Sequence, residues 1–280
     1  MNLHQSKFND YLKEFFIKHP KLGLYYEICE GGKKLRPSII LEIASYLKND
    51  WENGIYRKKI LDYAVMVELI HSTSLIIDDL PSMDNDKFRR GKLSFHAKHG
   101  QHKSYLMVYN LLMAIKKLII GLCKDDPFER AYLELEEFVN LEISNLIGGQ
   151  KKDLNPKWKL LGGSRSLKIA EEKTASLFKL SFLGPYFILK PSLFFLNHSQ
   201  LEKLLYQIGN HFGLAFQLSD DHLDIGTDQK WNNYGLETSP EELKEKFQEY
   251  VQKLEDGLLS LGYNQDFLFD LISLMRNRFD

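Results

Sequence analysis

Two clusters of aspartates stand out in the sequence, because each places several carboxylates within a few residues. The first cluster contains Asp78, Asp79 and Asp84, and the second contains Asp220, Asp221 and Asp224. Carboxylates this close repel one another unless they are protonated, solvated or bound to a cation. Mg²⁺ prefers oxygen ligands and takes one or two carboxylates per ion together with phosphate oxygens of a substrate. The two clusters together predict a cation-lined cleft for a phosphorylated ligand, whereas one cluster alone could equally decorate a helix surface.

Each cluster is expected at the end of a helix that positions it. Residues 58–78 form a mostly apolar run with helical spacing, which delivers Asp78 and Asp79 in its last turn. Pro81 disfavours continuation of this helix, so Asp84 is expected to come back from a loop. In the second cluster, Asp220 and Asp224 are four residues apart and therefore share a helix face.

The remaining sequence predicts an all-α fold. Apolar residues recur with helical spacing in segments 103–122, 128–147, 165–183, 199–224, 240–259 and 264–278. Breakers such as Gly31-Gly32, Asn155-Pro156 and Gly184-Pro185 separate the helices, and no segment alternates as a strand does. We expect a single domain over residues 1–280, built as a helical bundle around a deep central cavity.

Composition narrows the class of protein and its partners. The formal net charge is -1, which argues against nucleic acid as a partner because such proteins carry a basic excess. The N-terminal residues have no apolar signal core, and no later apolar segment is expected to reach the length of a membrane span, so no transmembrane segment is predicted. Cys29 and Cys123 are too few for a disulfide framework or a zinc site, so a cytoplasmic location is predicted.

Cations are needed beside the aspartates, because a diphosphate brings several negative charges. Arg89 and Arg90 follow the first cluster, and Lys33 and Arg36 follow Gly31-Gly32 where a helix begins. Arginine forks match phosphate oxygens, and a helix N-terminus adds its dipole. An isolated basic pair is more often a solvated charged face, so these residues gain weight only together with the aspartates.

Five segments occur in the order seen in one enzyme family. They are GGKKLRP (31–37), DDLPSMDND followed by FRRGK (78–92), GGQKKDL (148–154), KT (173–174) and GLAFQLSDDHLD (213–224). From about residue 30 to 234 the chain resembles the trans-isoprenyl diphosphate synthases, and within them the short-chain farnesyl and geranylgeranyl diphosphate synthases. The resemblance implies a magnesium-dependent prenyltransferase, usually a homodimer, that condenses isopentenyl diphosphate with an allylic diphosphate.

The resemblance also implies roles for individual residues. The ligands of three Mg²⁺ ions would be Asp78, Asp79, Asp84, Asp220, Asp221 and Asp224. The allylic diphosphate would contact Arg89, Lys173, Thr174 and Gln217. Isopentenyl diphosphate would contact Lys33, Arg36, His71 and Arg90. The residues expected to act in catalysis are Asp78, Asp79, Asp84, Lys173, Gln217 and Asp220.

Product length is expected to depend on the helix that ends at Asp78. Family members that stop at C15 commonly carry an aromatic residue five positions before the first aspartate, where this chain has Thr73 followed by Ser74. Small side chains leave room for another isoprene unit, which favours geranylgeranyl diphosphate (C20) over farnesyl diphosphate (C15). Met107 or Tyr109 on the facing helix could still form the floor.

The chain departs from the family at several places, and these departures keep other interpretations open. The KTG motif reads KTA with Ala175, and the GKxxGxD loop after the second cluster is missing, which leaves Lys230 as the nearby lysine. The missing loop would suit a degenerate, regulatory subunit of a heteromeric prenyltransferase. A class I terpene cyclase, which also uses an aspartate-rich motif, is the other alternative. Retention of both aspartate clusters and of GGKKLRP favours an active synthase.

Overall fold

The computed structural model describes residues 3–123, 129–155, 164–193, 197–225 and 233–279. Helices make up nearly all of the regular structure, which confirms the predicted all-α fold class. The chain divides into two compact units, Met1–Glu136 and Glu137–Asp280. A single domain over residues 1–280 stays a prediction.

The first unit is built around one long apolar helix. Its helices are α1 (Leu3–Lys18), α2 (Tyr26–Glu30), α3 (Leu35–Leu47), α4 (Ile55–Asp78), α5 (Phe95–His99), α6 (Gln101–Cys123) and the beginning of α7 (Glu129–Asp153), with a 3₁₀ helix at Pro20–Tyr25. Helix α4 packs against α3 and α6, and most of its residues from Ile60 to Ile70 are buried. A helix covered on several sides is apolar nearly all round, which explains why this run was so evident in the sequence.

A short hairpin follows the first aspartate cluster. Strand β1 (Phe88–Arg89) pairs antiparallel with β2 (Lys92–Leu93), and Arg90 and Gly91 form the turn with φ of 53° and 74°. Positive φ at both central residues is typical of the tight turns that match the twist of a two-stranded ribbon. The sequence predicted no strand here, because a ladder of two residues is too short to show alternation.

The second unit consists of helices packed around α10. After the end of α7 come α8 (Ser164–Ala170), a π-helical turn (Glu171–Ala175), α9 (Ser176–Leu189), a 3₁₀ turn (Lys190–Ser192), α10 (His198–Leu223), α11 (Tyr234–Glu237), α12 (Pro240–Leu261) and α13 (Asp266–Arg276). Helix α10 packs against α9 and α12. The side chains of Asn197 and Ser239 cap α10 and α12 by accepting hydrogen bonds from backbone N–H groups in the first turn.

One predicted boundary is wrong. Gly184-Pro185 was expected to end a helix near residue 183, but α9 continues through Pro185 to Leu189. Every residue of α9 is buried. Proline removes one helical hydrogen bond, and the burial of apolar side chains along the whole segment outweighs that local cost.

The expectation that no segment reaches the length of a membrane span also needs correction. By length and composition, α4 and the part of α6 from Gln101 to Leu122 are each long and apolar enough to cross a membrane. In α4, 72% of the most apolar window is buried within the protein, as in the core helix of a soluble protein. In α6 the corresponding share is 22%, so this helix presents an apolar surface. Two such helices are weak evidence for a membrane protein.

Candidate active site

The first aspartate cluster lies where α4 ends. Asp78 is the last residue of the helix and Asp79 caps it, and both side chains are buried. The backbone N–H of Asp84 donates to the carbonyl of Asp78 at 2.9 Å. The loop after Pro81 therefore turns back to the end of α4, as the proline predicted, and brings the backbone of Asp84 beside Asp78.

Arg89 neutralises Asp79. The Nε of Arg89 donates to both carboxylate oxygens of Asp79 at 2.8 and 3.0 Å, its Nη2 makes a further contact, and Asp86 lies 3.6 Å from the same Nη2. Burial raises the pKa of Asp79, and the hydrogen bonds from Arg89 oppose that rise. Arg89 and Asp79, predicted to serve the same diphosphate, thus form a preassembled pair of opposite charges.

Two of the other predicted cations of this unit, Arg36 and Arg90, lie close enough to His71 to affect its charge. Burial lowers the pKa of His71 well below its ordinary value, and the positive charges of Arg36, Arg90, Lys34 and Arg89 lower it further. The imidazole is therefore neutral at neutral pH and can still donate one N–H bond. Lys33 is exposed to solvent.

A cavity of about 730 Å³ adjoins this basic cluster. Its lining includes Gly31, Gly32, Asp79, Arg89 and Arg90. Cationic and carboxylate side chains thus share one cavity in the first unit, which is the chemical combination that a metal-bound diphosphate requires.

The residues predicted to set product length, Thr73 and Ser74, lie on α4 one turn or more before Asp78. Thr73 is buried and its hydroxyl donates to the carbonyl of Leu69 at 2.7 Å, while the Ser74 hydroxyl donates to the carbonyl of His71 at 2.8 Å. Both hydroxyls are thus satisfied by the helix itself, so they do not make their surroundings polar. On α6, Met107 is buried whereas Tyr109 is 64% exposed.

The second aspartate cluster, in the second unit, ends α10. The backbone N–H of Asp224 donates to the carbonyl of Asp220 at 3.1 Å, which keeps the two residues stacked at the helix terminus. Arg278, near the C-terminus, forms an ion pair with Asp220 and also donates to the hydroxyl of Ser219 at 2.8 Å. Sequence reasoning missed Arg278, because no local pattern links it to a residue so distant in the chain.

Stacked rings hold the segment that carries Arg278. Phe279 stacks on His222 with ring centroids 4.2 Å apart and on Phe247 at 4.3 Å. The Arg278 guanidinium lies 5.4 Å from the ring centre of Phe216. The C-terminal segment is therefore packed on the last turns of α10 through both charge and aromatic contacts.

The remaining predicted residues form a hydrogen-bonded chain. The Thr174 hydroxyl donates to Oε1 of Gln217 at 2.6 Å, and Nε2 of Gln217 donates to Asp221 at 2.9 Å. The other carboxylate oxygen of Asp221 accepts the backbone N–H of Tyr234 at 3.0 Å. Asp221 thus ties α10 to the chain at Tyr234, and its predicted role as a metal ligand stays a prediction.

Lys173 and Thr174 lie in the π-helical turn between α8 and α9. Such single turns inside α-helices are frequently found at functional sites. Nζ of Lys173 donates to Asp153 at 2.8 Å, which makes Asp153 a second residue of the site that sequence reasoning did not assign. Its signal was available, because Asp153 is the acidic residue of the GGQKKDL segment.

The change from KTG to KTA is accommodated by a glycine on α10. A Cβ atom at Gly213 would lie 2.4 Å from Cα of Ala175 and 2.7 Å from its Cβ. Because Gly213 has no side chain, the π turn can approach α10 closely even with alanine at position 175. The other departure, the region of Lys230, lies outside the described residues.

The carboxyl of Asp221 in the second cluster has a strongly shifted pKa. Burial raises the pKa of its carboxyl from 3.8 to about 6, hydrogen bonds from Gln217 and from the Tyr234 N–H oppose the rise, and Asp220 and Asp224 add to it. These donors are neutral, in contrast to the arginine beside Asp79.

The donor set fits Mg²⁺ on chemical grounds. Among the described residues, no three carboxylate, histidine or cysteine side chains are already arranged as a metal cage. Mg²⁺ does not need one, because it is usually held by one or two carboxylates and completed by substrate oxygens and water. Asp79 and Asp220 each already bind a guanidinium cation. These carboxylates are therefore poised for positive charge, and Asp78, Asp84 and Asp224 supply further oxygens of the same kind.

Comparisons with solved structures show the fold. The fold matches that of a geranyltransferase from Legionella pneumophila, with a TM-score of 0.82 and 24% identity over 99% of this chain and 94% of that one. It also matches the Helicobacter pylori geranyltransferase complexed with magnesium and isoprenyl diphosphate, with a TM-score of 0.72 and 22% identity over 100% and 97% of the two chains. The helical architecture is thus that of geranyltransferases.

Sequence comparison then gives the family. The polyprenyl synthetase family model matches residues 22–235, and the chain belongs to this family. It is 30% identical to the farnesyl diphosphate synthase of Bacillus subtilis over 92% of this chain and 88% of that protein. It is 32% identical to the geranylgeranyl diphosphate synthase of Pantoea ananas over 70% and 62% of the two chains. The predicted family is confirmed.

Proposed function

We propose that the protein is a Mg²⁺-dependent short-chain prenyltransferase that condenses isopentenyl diphosphate with an allylic diphosphate (dimethylallyl, geranyl or farnesyl). The observation that carries this proposal is the cavity in the first unit, which is lined by the ion pair of Asp79 and Arg89 together with Arg90. Carboxylates that can hold a cation beside arginines that can hold phosphate oxygens suit a diphosphate substrate. The names of the relatives support the same class.

The proposed chemistry needs no covalent protein intermediate. Bound Mg²⁺ would supply positive charge that stabilises the departing diphosphate. Arg89, Lys173, Thr174 and Gln217 would hold that leaving group, which takes both electrons of the broken allylic C–O bond. The double bond of isopentenyl diphosphate attacks the allylic cation, and the released diphosphate removes the final proton. Apolar side chains along α4 would keep water from the cation.

Activity can be tested with the purified chain alone. We expect labelled isopentenyl diphosphate to enter a longer prenyl diphosphate when an allylic diphosphate and Mg²⁺ are present, and EDTA to abolish the reaction. A terpene cyclase would release diphosphate without isopentenyl diphosphate, and a regulatory subunit would show no turnover. Either result would overturn the proposal.

We further propose geranylgeranyl diphosphate as the main product. The support is the buried Thr73, whose small side chain lies five residues before Asp78 on α4. Thr73→Tyr is expected to shift the product towards farnesyl diphosphate, because its ring would occupy the space of the last isoprene unit. Thr73→Val keeps the size of the side chain and should leave product length unchanged. A wild-type enzyme that makes no C20 product from farnesyl diphosphate would contradict this assignment.

A homodimer is proposed from the exposed apolar face of α6. Tyr105, Tyr109, Leu112 and Ile120 are between 50% and 64% exposed and recur at helical spacing along this face. An apolar patch of this kind marks a surface that is covered by a partner. We expect a dimer by light scattering and a monomer for Leu112→Glu, while Leu274→Glu on α13, which is also exposed, serves as the control. Binding of the wild-type chain to lipid vesicles without dimerisation would mean that a membrane surface covers this face of α6 instead.

The cytoplasmic location stays a prediction.

A further inference from the structure

Two consecutive lysines in the GGKKLRP segment have opposite environments. Lys33 is exposed, whereas the side chain of Lys34 is 1% exposed. Lys34 precedes α3 and adopts the left-handed conformation with φ 48° and ψ 40°. Residues other than glycine rarely adopt this conformation, so surrounding contacts must hold it in place.

A buried ion pair supplies those contacts. Nζ of Lys34 donates to Oε1 of Glu68 at 2.8 Å and to the carbonyl of Gly31 at 2.8 Å. The Glu68 side chain is 7% exposed and projects from α4, the helix that also carries His71 and Asp78. The pair therefore attaches the basic segment to the helix that ends at the first aspartate cluster.

The backbone held in this way carries several of the residues proposed to bind isopentenyl diphosphate. Lys33 and Arg36 flank Lys34 in sequence. A Cβ atom at Gly32 would lie 2.4 Å from Nη1 of Arg90, so the guanidinium of Arg90 rests directly on the backbone of Gly32. Any displacement of residues 31–36 would move Lys33 and Arg36 and remove the surface on which Arg90 lies.

We infer that Lys34 and Glu68 are positioning residues of the isopentenyl diphosphate site, an inference that rests on the proposed function. Lys34 is not itself a substrate ligand, because its ammonium group is buried and already donates to two acceptors inside the protein. The pair fixes the backbone so that the cations on either side of it face the substrate. Buried partners of this kind determine the geometry of binding residues that they do not themselves belong to.

The decisive variants are Glu68→Gln and Lys34→Gln, with Glu42→Gln as the matched control. Glu42 is also a buried glutamate, pairs with His4 at 2.8 Å, and lies on α3 five residues after the end of the GGKKLRP segment. We expect Glu68→Gln and Lys34→Gln to raise the KM for isopentenyl diphosphate at least about ten-fold, since a displacement of about 1 Å can cost 10²-fold. The KM for the allylic diphosphate should change less than about two-fold. Glu42→Gln should lower the Tm without raising the KM for isopentenyl diphosphate selectively. Lys34→Arg should restore most of the affinity for isopentenyl diphosphate.

Direct titration of isopentenyl diphosphate separates this inference from the proposed function. If the wild-type chain binds the ligand without turning it over, the proposed function fails, and the Kd values of the variants still decide the role of the pair. Unchanged Kd in Glu68→Gln and Lys34→Gln, or equal loss in Glu42→Gln, would overturn the inference, as would a wild-type chain that does not bind the ligand. If Glu68→Gln does not fold, the comparison of Lys34→Gln with Lys34→Arg replaces it.

Discussion

In each aspartate cluster one carboxylate pairs with an arginine, but the two arginines come from different parts of the chain. Arg89 lies 10 residues after Asp79, in the hairpin that follows the same loop. Arg278 lies 58 residues after Asp220, and α11, α12 and α13 separate the two in sequence. The first cluster is therefore shaped by local chain geometry, whereas the second depends on a tertiary contact.

This difference suggests different tolerance to change. The loop, hairpin and cap of the first cluster are encoded within residues 78–93, so they can form as one piece of local structure. The second cluster needs the C-terminal segment in place, with Phe279 between His222 and Phe247. In sequence it is followed by the segment in which the family's GKxxGxD loop is expected to be missing. The second half of the proposed site is therefore the one in which distant mutations should be felt.

The largest expected effect is loss of activity when either cluster loses a carboxylate. Asp79→Asn and Asp220→Asn should each lower kcat by about 10²–10³-fold, because each removes a charge that holds the metal-bound diphosphate. Steady-state kinetics with both substrates saturating is the measurement. Asp270→Asn, an exposed aspartate on α13, is the control for a simple change of net charge.

The comparison of these two variants tests whether the clusters serve one step. Similar losses would support joint action on the leaving diphosphate. Retention of full activity by Asp220→Asn would mean that the second cluster is not part of the catalytic machinery, and the comparison of the clusters would then be structural only.

A second prediction uses the buried Asp221, which has neutral donors where Asp79 has an arginine. Burial raises the pKa of Asp221 from 3.8 to about 6, so the folded protein binds this proton more tightly than the unfolded chain does. The contribution of Asp221 to the free energy of unfolding is therefore full below pH 4 and is lost as the pH rises to about 6. A rise from 3.8 to about 6 corresponds to about 3 kcal/mol.

The measurement is chemical denaturation of the metal-free protein from pH 4 to 7, with wild type compared to Asp221→Asn. The wild-type free energy of unfolding should fall relative to the variant across this range, because the variant has no proton to lose. Asp79→Asn should show the same sign with a smaller slope, since Arg89 stabilises the charged form of Asp79. A difference between wild type and Asp221→Asn that does not change with pH would contradict this account.

The sequence predicted those parts of the site that local rules determine. The helix expected at 58–78 is α4 at Ile55–Asp78, because an apolar run and Pro81 fix its course and its end. The return of Asp84 towards Asp78 follows from the same proline. Arg89 was found because it is close in sequence to the aspartates that it binds.

Other features escaped prediction because tertiary contacts decide them. The continuation of α9 through Pro185 depends on burial by neighbouring helices, which no local pattern shows. Lys33 and Lys34 are chemically identical neighbours, and only the position of Glu68 on α4 makes one internal and the other a surface cation. The pairing of Arg278 with Asp220 is of the same kind.

The smallest expected effect concerns the ion pair between Arg278 and Asp220, and it tests directly whether the distant arginine acts differently from Arg89. Arg278 competes with a metal ion for the carboxylate of Asp220, so Arg278→Gln should tighten Mg²⁺ binding in the presence of inorganic diphosphate. A partly exposed ion pair contributes at most about 1 kcal/mol, which limits the gain to about five-fold. Arg276→Gln is the matched control. Arg276 lies two residues before Arg278 and pairs with Glu255 at 2.9 Å, so this variant removes the same charge without touching Asp220. Arg89→Gln should weaken binding, since Arg89 is proposed to contact the diphosphate as well as Asp79. Titration calorimetry measures Mg²⁺ binding to each of these variants. Weaker binding in Arg278→Gln would show that both arginines act alike. The contrast between the local and the distant cation would then be wrong.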